Sequence, residues 1–121
     1  MSQQVPIIDA LVSEPVSMIN AFTVPAVESD RFLQRWRDNA RAMAKQQGFS
    51  RARMYQSLIT DSELRFINVA EWASGKDLAQ ARKNPEWRAA VERMFGDPDL
   101  HITPRPSVYE LTVEVHPGDT L

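Results

Sequence analysis

The chain contains no cysteine. Disulfide frameworks, thiolate zinc sites, iron–sulfur clusters and cysteine nucleophiles are excluded with it. Glycine is scarce, with 4 in 121 residues. Gly48, Gly75, Gly96 and Gly118 stand far apart, so no phosphate-cradling loop or dinucleotide fingerprint can be built from them. No Gly-x-Ser-x-Gly elbow occurs. The two histidines, His101 and His116, lie in a proline-rich stretch and near the C-terminus. Neither belongs to a His-x-x-x-His pair or a carboxylate cluster with ligand spacing, so both read as surface residues and no metal is expected. Basic excess is missing too: 14 Lys and Arg face 16 Asp and Glu, a formal charge of -2. That weighs against a nucleic-acid partner. Long apolar runs are absent. Val5 to Val16 is broken by Pro6, Asp9, Glu14 and Pro15, so it does not cross a bilayer. Met1-Ser2-Gln3-Gln4 lacks the positive cluster of a signal peptide, and a cytoplasmic location is expected.

What is present suits one globular domain: 43% hydrophobic and 25% charged residues. Residues 1–15 carry two prolines and no period and read as an arm. Val16 to Val24 alternates, with Val16, Met18, Asn20 and Phe22 on one face, and Pro25 ends the strand. Ser29 or Asp30 can cap a helix whose stripe is Phe32, Trp36, Ala40 and Met43, stopped by Gly48. Phe49 to Leu58 is extended, Thr60-Asp61-Ser62-Glu63 turns the chain, and Arg65 to Trp72 returns as the second half of a hairpin. Ser74 opens a short helix through Leu78 and Ala81. Asn84-Pro85 restarts one with an asparagine cap and proline at its first position, its stripe Trp87, Val91 and Met94. Residues 97–106 hold three prolines and read as a loop. Val108 to Val115 alternates as a final strand, and residues 116–121 form a tail. The domain thus spans 16–115.

The order strand, helix, strand, strand, helix, strand is the split βαβ pattern of an α+β, ferredoxin-like βαββαβ fold. Four strands form an antiparallel sheet with the helices on one face. The other face carries Ile19, Arg51, Arg53, Tyr55, Ile67 and Val69, too apolar to leave fully wet. A homodimer pressed together through this open face buries it; the alternative is cover by the arm within one chain.

Two amides stand mid-strand among apolar neighbours, Asn20 between Met18 and Phe22 and Asn68 between Phe66 and Ala70. A buried amide without a partner costs about 1–3 kcal/mol. Either each bonds a backbone edge or the other amide, or both point into a ligand cavity between sheet and helices. Trp72 shares the face of Asn68, roughly 13 Å along the strand at about 3.3 Å per residue, so a planar ligand fits between them. Core packing is the plainer role for Trp72, and more so for Trp36 and Trp87.

Met18-Ile19-Asn20-Ala21-Phe22-Thr23-Val24, the Phe32/Trp36 helix ending at Gln47-Gly48-Phe49, and the strand Arg65-Phe66-Ile67-Asn68-Val69-Ala70-Glu71-Trp72 carry a likeness. Together they resemble the antibiotic biosynthesis monooxygenase family, dimeric α/β barrels of the ferredoxin-like class, over about Val16 to Met94. The resemblance implies oxygenation of polycyclic phenols or anthrones with dioxygen alone and no cofactor. It also implies that Asn68 and Trp72 hold the substrate. A tyrosine of the quinone-forming members falls at Leu78, and their arginine has two candidates here, Arg88 and Arg93. A haem-degrading branch pairs a first-strand Asn and a third-strand Trp, matched by Asn20 and Trp72, with a helical His. That position is Val91, which cannot ligate iron, so haem degradation is disfavoured unless His101 reaches in.

The expected function is a cofactor-independent monooxygenase acting with dioxygen on a small aromatic or polycyclic phenol, anthrone or quinol. Asn68, Trp72 and Asn20 are the candidate catalytic residues, and Phe22, Phe66, Trp36 and Val91 the candidate walls of the substrate site. An amide donates to the forming oxyanion while Trp72, Phe22 and Phe66 clamp the ring. No base is evident: Tyr55 faces the other way. The alternative is a non-catalytic dimer of the same fold that binds a small apolar ligand. A nucleic-acid platform of the same strand order needs a basic sheet with clustered aromatics, which this is not.

Overall fold

The computed structural model describes residues 12–59 and 61–121. The elements follow in the order β1 (Val16–Thr23), a 3-10 turn (Ala26–Glu28), α1 (Ser29–Met43), β2 (Phe49–Gln56), β3 (Phe66–Trp72), α2 (Gly75–Ala81), α3 (Pro85–Phe95) and β4 (Thr103–Tyr109). The four strands form one antiparallel sheet in the order β2-β3-β1-β4. This is the expected α+β, ferredoxin-like arrangement, with the second helical segment split in two. The arm at residues 1–15 falls largely outside the described residues, as does Thr60 of the expected turn.

Period-2 alternation places Val16, Met18 and Phe22 of β1 and Phe66, Asn68, Ala70 and Trp72 of β3 on the face covered by the helices, where all are buried. On β2 a bulge at Ser50 separates Phe49, opposite Trp72, from Arg51, opposite Glu71. The extra residue switches the parity of the strand. Phe49 therefore turns inward and meets the Trp72 ring edge-on at 5.4 Å, while Arg51, Arg53 and Tyr55 still face outward.

The helix signals act largely as the sequence requires. Ser74 accepts the Asp77 N–H at 3.0 Å, and Asn84 accepts the Trp87 N–H at 3.0 Å with Pro85 at the first helical position. The stop of α1 differs, since the helix ends at Met43 with Ala44 at its C-terminal cap. Gly48 serves instead the turn into β2, at φ 84° with a Cβ there coming within 2.4 Å of Asp77, so only glycine fits. The start of α1 differs. Neither Ser29 nor Asp30 caps it: both lie inside the helix, whose cap position is Glu28. The Glu28 N–H bonds the Pro25 carbonyl at 2.9 Å, so a 3-10 turn feeds straight into α1. The Glu28 carboxylate bonds the backbone N–H and ring of His101 instead.

The last strand also differs. It runs over Thr103–Tyr109, not Val108–Val115. Pro104 and Pro106 make this stretch read as a loop, yet proline's φ suits extended backbone, and a strand at the sheet's margin tolerates its missing N–H. The pairing with β1 ends at Ser17 opposite Tyr109. Beyond that point the alternation continues without a partner strand among the described residues, and Leu111, Val113 and Val115 are exposed.

Buried apolar side chains form two clusters. One joins Val16, Met18, Met43, Ala70, Trp72 and Trp87; the other joins Phe22, Phe32, Phe66 and Met94. On both β1 and β3 the residue between the clusters is an asparagine.

Candidate functional site

The antiparallel register sets Asn20 directly opposite Asn68. Directly opposed residues on one face have Cβ atoms about 5 Å apart, so the two amides form a polar pair at the seam between the apolar clusters. Above them lies a cavity of about 520 Å³, a size suited to a small polycyclic ligand. The sheet supplies its floor through Met18, Asn20, Phe22, Asn68, Pro104 and Pro106. The α1 side chains Trp36, Asn39 and Met43 and the α3 side chains Trp87, Arg88, Val91, Glu92, Met94 and Phe95 supply its walls, joined by Arg82 from the end of α2 and Gly96.

The polar groups around this cavity are unevenly satisfied. Asn20 Oδ1 accepts the backbone N–H of Arg105 at 3.1 Å. Asn39 is buried, and its Oδ1 accepts Trp87 Nε1–H, which ties α1 to α3. Asn68, 3% exposed, leaves its carbonyl oxygen buried with no hydrogen-bond partner, and Trp36 Nε1 is likewise buried and unpartnered. One acceptor and one donor on residues that line the cavity are thus unsatisfied, as is Trp72 Nε1 away from it. Each costs about 1–3 kcal/mol unless something enters to meet it.

Of the residues singled out from sequence, Asn20, Asn68, Phe22, Trp36 and Val91 line the cavity, and Trp72 and Phe66 do not. Trp72, 1% exposed, is enclosed by Phe49 and by Trp87, whose ring it stacks on at 5.7 Å. Phe66, fully buried, stacks on Phe32 at 4.8 Å. Both belong to the packing beneath the site, and the aromatic side chains that line the cavity are Phe22, Trp36, Trp87 and Phe95. Asn39 was not foreseen, although 32, 36, 39 and 43 is a helical stripe that includes it. Arg82 and Glu92 were not foreseen as lining residues. Between the two candidate arginines of α3, Arg88 reaches the cavity and Arg93 does not. Val91 lines the wall where an iron-ligating histidine is needed, and His101 is held by Glu28 away from it. Among the described residues no group of three or more His, Cys, Asp or Glu comes together to hold a metal.

An ion-pair cluster built on one buried carboxylate holds the roof in place. Asp97, whose side chain is fully buried, accepts Arg31 Nε at 2.8 Å, Arg35 Nε at 2.9 Å and the Asp99 N–H at 2.9 Å. The Arg31 guanidinium, with the Asp99 N–H and Arg35, holds its carboxyl well below the usual carboxylate range. The contact pins the start of α1 to the turn after α3.

The profile of the antibiotic biosynthesis monooxygenase family matches residues 15–93, more than half of the chain. No curated protein sequence matches. Among solved structures, a candidate monooxygenase of Shewanella loihica PV-4 is 29% identical, with a TM-score of 0.66 over 84% of this chain and 98% of its own. SnoaB of Streptomyces nogalater, a cofactor-independent oxygenase, is 20% identical, with a TM-score of 0.69 over 88% and 99%. An antibiotic biosynthesis monooxygenase candidate of Nitrosomonas europaea is 18% identical, with a TM-score of 0.62 over 82% and 99%.

Proposed function

The chain belongs to the antibiotic biosynthesis monooxygenase family, and we propose that it is a cofactor-independent monooxygenase acting with dioxygen on an electron-rich polycyclic phenol, anthrone or quinol. The observation that carries this reading is the pair of unsatisfied groups, the Asn68 amide oxygen and Trp36 Nε1, beside an apolar cavity of about 520 Å³. An apolar ligand bearing a hydroxyl meets both needs at once, its O–H donated to Asn68 Oδ1 and its oxygen accepting from Trp36 Nε1–H.

Dioxygen is a triplet and attacks closed-shell carbon slowly unless that carbon is electron-rich. Loss of a proton from an anthrone CH2 makes it so. The resulting anion passes one electron to dioxygen, and the radical and superoxide join as a C–O–O bond. Protonation and loss of water from the hydroperoxide leave a carbonyl, so one CH2 and one O2 become one C=O and one H2O. The protein's part is to keep the ring dry and to hold the substrate oxygen as it gains charge. Trp36 Nε1–H donates to that oxygen, and Asn68 Oδ1 accepts from a ring hydroxyl and so orients the substrate, while Phe22, Trp36 and Trp87 pack on the rings. Glu92 is the one carboxylate among the described lining residues, and we assign it the substrate proton.

Oxygen uptake with a panel of anthrones and quinols tests the reading. We expect uptake above background with at least one member, reduced about a hundredfold in kcat by Asn68→Ala. Saturable binding without uptake by any member removes the catalytic reading and leaves a ligand-binding protein of the same fold.

The assembly belongs to the same proposal. Ile19, Ala21, Ile67 and Val69 lie half-buried on the sheet face without helices, beside exposed Tyr55. A second copy on this face forms the homodimer, and the unpaired alternation of Leu111, Val113 and Val115 gives it further apolar surface.

A further inference from the structure

Arg82 is the cavity's least expected residue. It sits at the C-terminal cap of α2, half-buried, and lines the same space as the two amides. Arg31 and Arg35 are paired with Asp97, Arg41 with Asp38 and Arg51 with Glu71. The Arg82 guanidinium has no ion pair or hydrogen bond among the described residues and, unlike the exposed Arg88 of the same wall, is half-buried. A guanidinium carries five donors in a fixed fork and cannot shed its charge near neutral pH. Burying it unpaired opposes folding, and burial indeed pushes its pKa below the ordinary arginine value. No group among the described residues offsets this.

The rest of the wall does not neutralise it. Glu92 follows Arg88 by four residues on α3, so those two opposite charges share one helical face at the mouth, where both are exposed. Water screens those exposed charges, whereas Arg82 comes from a different element and is the half-buried charge of the lining. The amides lie on the sheet floor and Arg82 on the helical wall, so a ligand seated on Asn68 and Trp36 presents a second edge toward the guanidinium.

We propose that this cavity takes an aromatic ligand bearing an anionic oxygen, a carboxylate or an ionised hydroxyl, and that Arg82 is the residue that selects it. The inference rests on the cavity being the ligand site proposed above and adds the charge of the ligand.

Binding read by quenching of tryptophan fluorescence tests it without requiring turnover, since Trp36 and Trp87 line the cavity. The probes are 9-anthracenecarboxylate, its neutral carboxamide, and an acidic naphthol measured on both sides of its own pKa. The carboxylate is expected to bind about ten- to a hundredfold more tightly than the carboxamide, the scale of one charge-assisted contact. Arg82→Met is expected to erase that ratio while leaving carboxamide binding and Tm undiminished. Arg82→Lys retains part of the ratio. Arg93→Met removes the same charge outside the cavity and leaves the ratio intact. Tightening of the naphthol on ionisation, lost in Arg82→Met, assigns the contact to a hydroxylate; preference for the carboxylate alone assigns it to a carboxylate. Equal binding of carboxylate and carboxamide with no response of the naphthol overturns the role of Arg82 and leaves the cavity reading standing. Binding of no probe overturns both.

Discussion

Asn68 and Trp72 stand four residues apart on one strand face, and their fates separate. Trp72 is sealed between Phe49 and Trp87, so its bulk stabilises and its chemistry is hidden. Asn68 lines the cavity and keeps a buried, unpaired oxygen. Replacing Asn68 by Leu removes an unsatisfied buried group and adds apolar contact. It should therefore leave Tm unchanged or raise it while abolishing ligand binding, a trade that calorimetry and fluorescence titration together measure. Trp72→Ala should do the opposite of a local binding change: it opens a core cavity costing about 3–5 kcal/mol, read as a large fall in the urea midpoint. Asn20 and Asn68 were legible from sequence because a polar residue inside an alternating apolar strand is a local anomaly. Arg82 was not, because an arginine at a helix end looks like any solvated residue until its surroundings are known.

At the scale of elements, two joints position the cavity. The first is the tight approach of Gly48 to Asp77, which lets the chain leave α1 and enter β2 beside the start of α2. Gly48→Ala forces a left-handed residue and a clash with Asp77. A loss of more than about 1 kcal/mol in ΔG of unfolding is expected, and a neutral result would show that this turn is not constrained. The second is the Asp97 cluster linking α1 to the turn after α3. Its carboxyl is depressed in the folded chain and ordinary in the unfolded one. The stability it contributes is therefore complete above about pH 4, and it is lost as pH falls further toward the folded-state value, because the unfolded chain then takes up a proton the folded one refuses. Asp97→Asn should lower Tm at pH 7 and flatten the fall of Tm below pH 4, measured by thermal melts across that range. Helix caps at Ser74 and Asn84 were readable in sequence because they act within three residues. The 3-10 entry to α1 was not, since Glu28 is recruited by His101, far along the chain.

At the scale of the whole molecule, the described residues form a sheet with one face closed by helices and the other without helices. If a second copy covers the open face, light scattering at micromolar concentration should give twice the mass of the chain. Ile67→Glu with Val69→Glu should then give a folded monomer. A wild-type monomer would remove the dimer from the proposal and leave the cavity, which lies on the opposite face, untouched. Monomerisation with loss of binding would instead tie the cavity to the assembly.

Periodicity along the chain was enough to order the elements, to pair them as a split βαβ fold, and to turn both amides toward the helices. Each of those follows from where a side chain points relative to its immediate neighbours. Three decisions needed the tertiary structure. Cross-strand register put Asn20 opposite Asn68. The packing of α1 and α3 over the sheet brought Trp36, rather than Trp72, to the cavity. A partner strand made β4 out of the proline-rich stretch and left the better-patterned residues after Tyr109 unpaired. These depend on distances between elements remote in sequence, which packing sets and no local pattern encodes.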